Sequence, residues 1–163
     1  MGLDMYLNAT RFISGDCPSG EADAMAYRQV LKASGAANFI SKEASYIEVV
    51  ITVAYWRKAN AIHKWLVDNV QDGVDDCGKY DVSREQLQQL LECCQRILET
   101  SKEPDPLAVA AVAAESLPTQ SGFFFGSTEY DEGYLDDIRS TVTQLTTALE
   151  MPDCWDFSYH ASW

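Results

Sequence analysis

The densest group of chemically able side chains in this sequence is Tyr55-Trp56-Arg57-Lys58-Ala59-Asn60-Ala61-Ile62-His63-Lys64-Trp65. A helical register puts Thr52, Trp56, Asn60, His63 and Val67 on one stripe, with Arg57, Lys64 and Asp68 on another side. An indole, an amide and an imidazole flanked by a guanidinium and an ammonium can stack on a base and hold a phosphate. Trp56, Arg57, Asn60, His63 and Lys64 are therefore the candidate ligand-binding residues. The competing reading is structural, with Trp56 and His63 at a core margin and Asn60 bonded to a loop backbone. As a catalytic base, His63 needs a nucleophile in reach and a group to orient it. Neither Cys77 nor Ser121 lies in a strand-to-helix elbow, so no catalytic residue is assigned.

A second group is acidic: Glu129, Asp131, Glu132, Asp136 and Asp137. Of the 163 residues, 12 are Lys or Arg and 25 are Asp or Glu, a net charge of −13. The imbalance is uneven, because residues 103–163 hold 11 of the acidic groups and a single basic one, Arg139. Such a surface repels phosphate backbones, so direct nucleic-acid binding is not expected. It attracts a basic protein surface and speeds the encounter. These five carboxylates are the candidate partner-binding residues, and a partner that itself binds nucleic acid suits them.

No metal or cofactor is expected. The turn Asp72-Gly73-Val74-Asp75-Asp76 is rich in carboxylates, but an EF-hand loop counted from Asp68 puts Val70 third and Lys79 twelfth, where oxygens are required. The five cysteines are odd in number and lack C-x-x-C spacing, so neither a disulfide framework nor a zinc module is expected. The loop 117–128 is rich in hydroxyls and glycine but has no P-loop lysine. No apolar run approaches the roughly 18 residues of a membrane span, and the start, MGLDMYLNAT, has no basic or long apolar region of a secretory leader. A cytoplasmic location follows as the expectation.

The elements that must position these groups follow from apolar spacing. Residues 2–8 alternate as a strand, and residues 14–20 form a turn-rich loop. A helix is expected over 21–33, stopped by Gly35. Ile47, Ile51, Tyr55, Ile62 and Leu66 suggest one long helix from about 44 to 70. Ser83 and Gln86 make a capping box for a helix bearing Leu87, Leu90, Leu91, Cys94, Ile97 and Leu98. Asp105-Pro106 opens a short helix over the alanine-rich 107–116. Thr128 is placed to cap a last helix with Tyr134, Ile138, Val142, Leu145 and Leu149 inward. Trp155, Phe157, Tyr159, Ala161 and Trp163 alternate as the final strand, and Phe123-Phe124-Phe125 can supply a third. The expected fold class is α+β: one mostly helical domain over 1–163, with a small antiparallel sheet formed by the terminal strands.

Four stretches together carry a resemblance: MGLDMYL at 1–7, VAYWRKANAIHKWLVDNVQDGVDDC at 53–77, LPTQSGFFFGSTEYDE at 117–132, and the closing WDFSYHASW. They resemble a family of small proteins found in tailed bacteriophages and prophages. The resemblance implies a phage accessory protein acting in the host cytoplasm, and it carries over no catalytic residue. Two functions are expected from residues and resemblance together. The first is an inhibitor of a host component, such as an anti-CRISPR or another anti-defence protein, acting through the acidic cluster. The alternative is a nucleotide or small-ligand binding protein using the Trp56, Arg57, Asn60 and His63 face.

Overall fold

The alternating N-terminal residues form β1, Asp4–Ser14, whose Met5, Leu7 and Ala9 are buried. The structure, a computed structural model, describes residues 2–15, 21–40, 46–102 and 105–163. Helix α1 spans Glu21–Ser34, then come strand β2, Tyr46–Arg57, and helix α2, Asn60–Val70. Strand β3 is Lys79–Val82, followed by α3, Arg84–Thr100, α4, Pro106–Ser116, and α5, Glu132–Leu149. Strand β4, Asp156–Ser162, ends the series. The fold class is α+β, with five helices and a four-stranded antiparallel sheet among the described residues. Its strand order is β2-β1-β4-β3, so the two terminal strands are neighbours at its middle. The β3–β4 register pairs Tyr80 with Tyr159 and Val82 with Phe157. No helix among the described residues is long and apolar enough to cross a membrane.

The chain divides into two compact units: Met1–Ala9 with Thr52–Trp163, and Thr10–Ile51. In the larger unit the core is built by Leu3, Met5 and Leu7 of the N-terminal strand segment, Phe157 and Tyr159 of β4, Ile62 and Leu66 of α2, Leu87, Leu90, Cys94 and Ile97 of α3, and Ile138 and Leu145 of α5. In the smaller unit α1 buries no residue, and Arg11 of β1 pairs with Asp23. Helix α1 ends as its sequence indicates. Gly35 takes φ +71°, Ala36 N–H bonds Leu31 C=O at 3.1 Å and Gly35 N–H bonds Lys32 C=O at 3.3 Å, a Schellman closure.

Three expectations are corrected. The long helix over 44–70 is a strand, a break and a shorter helix; its first residues, 44 and 45, lie outside the described residues. A spacing of four places side chains on one face of a strand as well as of a helix. The run Ile47, Val49, Val50, Ile51, Thr52, Val53 is β-branched at six positions and favours the pleated form. The break is Lys58, at φ +61°, a position that no glycine or proline announces. The last helix is capped by Asp131, which accepts from Tyr134 N–H at 3.1 Å, not by Thr128. The three phenylalanines form a turn and not a strand. Phe123 and Phe124 are exposed, Phe124 takes φ +73°, and only Phe125 is buried. The loop 14–20 falls outside the described residues from Asp16 onward, and Cys17 with it.

Candidate functional site

The start of α2 is held by its own polar residues. Lys58 keeps its left-handed backbone because its N–H donates to Leu3 C=O at 2.8 Å and its C=O accepts from Asn60 N–H at 2.9 Å. Asn60, 4% exposed, clamps the loop that follows α4. Its Nδ2 donates to Ser127 C=O at 2.7 Å and Phe125 C=O at 3.1 Å, while its Oδ1 accepts from Gln120 N–H at 3.0 Å. Gly126 closes the contact. At φ +95° it lies so near Lys58 that a Cβ would meet that carbonyl oxygen at 3.0 Å.

His63 is fully buried in α2 and bonded at both ring nitrogens. Nδ1 is 2.7 Å from Tyr159 Oη, and Nε2 is 2.9 Å from Asp75 Oδ1. The neutral tautomer with the proton on Nε2 satisfies both bonds: it donates to Asp75 and accepts from the Tyr159 hydroxyl. Burial pushes the imidazole below its ordinary value, against the opposing pull of Asp75. Phe125 and Trp163 stand edge-on to the ring. Trp56 is buried in β2, and its Nε1 donates to Thr141 Oγ1 at 2.9 Å. Neither ring is available to stack on a ligand. Lys64 is on the outer side of α2, paired with Asp68 at 2.7 Å. The predicted stripe does not exist as one face, because Trp56 belongs to a strand and Asn60 and His63 to a helix.

The acidic group also divides. Arg139 Nη1 lies 2.6 Å from both Glu132 and Asp136, so those two carboxylates are compensated. Asp131 is engaged as the α5 cap. Glu129 is exposed, and among the described residues nothing bonds its carboxylate. Asp137 is half-buried, and no side-chain or backbone group among the described residues bonds its carboxylate. Burial, then Asp136 and Asp131, raise its carboxyl to about 6.

What the fold brings together is a cleft of about 290 Å³ between the starts of α2 and α5. One wall carries Arg57, Lys58 and Asn60; the other carries Glu129, Asp131, Gly133 and Asp137, with Thr119 and Ser127 from the intervening loop. Residues that the sequence assigns to two rival sites line a single one. Ala61 and Ile62 also line it, and their backbone N–H groups, in the first turn of α2, have no partner among the described residues. No side chain among the described residues caps this helix. Lys58, Thr119 and Ser127 lie in segments that the sequence singles out for their donors but were not among the predicted site residues, and nothing in the sequence signalled these two N–H groups. Chemically the cleft offers donors and positive charge on one side and carboxylates on the other. Among the described residues, no group of three or more His, Cys, Asp or Glu side chains is arranged to hold a metal ion.

No protein-family model matches the chain, and neither does any curated protein or solved structure.

Proposed function

We propose that this chain is a binding protein that takes a small polar ligand in the cleft between the starts of α2 and α5. The observation that carries the reading is Asp137. It is a partly buried carboxylate with no bonding partner among the described residues, its carboxyl raised to about 6, at the wall of a cavity whose opposite side is a helix start with N–H groups that have no partner among those residues either. A group of that kind costs the fold stability, and ligand sites are where such costs are tolerated. The volume suits a ligand at the small end of the usual range of roughly 300–1,000 Å³. An anionic group faces Arg57 and the N–H groups of Ala61 and Ile62; a cationic or hydrogen-bond-donating group faces Asp137 and Glu129. A nucleotide held by stacking on Trp56 is disfavoured, because that ring is buried.

The test is a thermal-shift and calorimetric screen with three sets: free α-amino acids, nucleoside monophosphates and inorganic phosphate. A ligand at 100 times its Kd adds roughly 2.7 kcal/mol of stability. The expected positives carry both charges, and Asp137→Asn abolishes their binding while the protein stays folded. A flat response across all three sets removes the reading.

A second reading keeps the phage-type inhibitor, acting on a basic host protein in the host cytoplasm. The lopsided charge of residues 103–163 favours it. The Arg139 bridges weaken it, leaving Glu129 and the cleft mouth as the uncompensated part of the cluster. Binding of a basic partner that survives Glu129→Lys with Asp137→Asn, and whose salt dependence is unchanged, excludes this surface.

A further inference from the structure

The smaller unit, Thr10–Ile51, presents apolar side chains that nothing described in the chain covers. Within it, Tyr46 is 60% exposed, Val50 49% and Ile51 42%, all on β2, and Phe12 of β1 is 56% exposed. The Phe12 and Tyr46 rings touch, 5.9 Å between centroids, so these two form one patch. Strand β2 is the last strand of the sheet order, with β1 on one side only. An open edge of this composition is a template for another strand, and natural proteins blunt such edges with lysine, proline or a covering element. The segment Tyr46-Ile47-Glu48-Val49-Val50-Ile51 has neither lysine nor proline, and its single charge is Glu48. Farther along the same strand the edge is blunted, since Gln144 Oε1 accepts from Tyr55 N–H at 2.7 Å.

We infer that the outer edge of β2 over Tyr46–Ile51 pairs antiparallel with the same edge of a second copy of this chain, about a two-fold axis. Charge selects that occupant. Residues 10–51 carry four basic and five acidic groups, a net of −1, whereas the rest of the chain carries eight and 20, a net of −12. A second copy brings one like-charged residue, Glu48, near its counterpart on this segment, far fewer than any other face would, and a near-neutral apolar strand is matched by another of the same kind. Area agrees. Taking about 150–250 Å² for each aromatic side chain and somewhat less for Val50 and Ile51, the four exposed groups offer at most on the order of 400 Å² of each copy. With the paired backbone edge added, the two copies together reach the low end of specific interfaces, about 1,200 Å².

The test is sedimentation velocity with light scattering on the full chain, from about 1 to 100 μM. The expected result is a species of twice the 18.2 kDa chain mass that grows with concentration. Val50→Glu, which adds a second charge next to Glu48 on the pairing segment of each copy, returns it to the single-chain mass with an unchanged circular dichroism spectrum. If that variant does not fold, hydrogen exchange on the unaltered chain decides. Amides of 46–51 should slow at the higher concentration while those of α3 stay the same. A monomer throughout the concentration range, a dimer insensitive to Val50→Glu, or concentration-dependent protection confined to other segments overturns the inference. So does a monomer whose 46–51 segment is protected only by a foreign protein.

Discussion

At the scale of single residues, Asp137 and His63 pull the pH dependence of stability in opposite directions. The Asp137 carboxyl rises from 3.8 to about 6 on folding, so the folded state holds its proton more tightly than the unfolded one. Its ionisation therefore penalises the fold above about pH 6, and the penalty fades as pH falls toward 4. Asp137→Asn is expected to raise stability at pH 7 by about 1 kcal/mol, after allowance for its partial exposure, with the gain vanishing near pH 4. His63 behaves in the reverse sense. Its folded value is below the unfolded 6.5, so its contribution is complete above 6.5 and declines as pH falls through that value. In Asp137→Asn the His63 decline stands alone, and Tm should drop more steeply between pH 7 and 5 than in the unaltered chain. Thermal denaturation of both across that range checks the pair. Asn60 is the third residue of consequence. Asn60→Ala leaves two carbonyls and one N–H of the 120–127 loop without their bonds, at a cost of about 2–3 kcal/mol. Urea denaturation measures the loss, and ligand binding in the cleft should fail with it.

At the scale of elements, the helices with strong end signals were legible and the strand between them was not. Helix α3 begins at its capping box, where Ser83 Oγ accepts from Gln86 N–H at 3.1 Å and Gln86 Oε1 accepts from Ser83 N–H at 2.9 Å. Helix α4 begins at Asp105-Pro106, with Asp105 accepting from Leu107 N–H at 3.0 Å. These motifs are local, so sequence alone exposes them. Ser83→Ala should cost about 1 kcal/mol by denaturant midpoint, with no effect on cleft binding. Strand β2 and helix α2 were read as one helix because apolar residues four apart satisfy both periods. The turn at Lys58 depends on bonds to Leu3 and on the close approach of Gly126, neither of which is adjacent in sequence. Strand β3, four residues long, carries too little pattern to stand out and exists because β4 pairs with it.

At the scale of the whole chain, charge is the dominant quantity. A net of −13 opposes folding through self-repulsion, and added salt screens it, since the Debye length shrinks from about 30 Å at 0.01 M to about 3 Å at 1 M. Raising sodium chloride from low to moderate concentration is therefore expected to raise Tm by a few degrees, read by calorimetry. A Tm that falls with salt would mean that the few ion pairs, such as Arg139 with Glu132 and Asp136, outweigh the repulsion.

The α+β class, the terminal strands, the ends of α1 and α4, the start of α3 and the imbalance of charge were all legible in the chain's residue types and short spacings. The candidate site came from packing between distant segments. That packing turned Trp56 and His63 inward, where their polar atoms meet Thr141, Asp75 and Tyr159. It also brought Arg57 and Asn60 across from Asp131 and Asp137. Those partners are separated by tens of residues, and no local periodicity encodes which distant groups share a cavity. That is set by how the buried faces of β2, α2 and α5 pack.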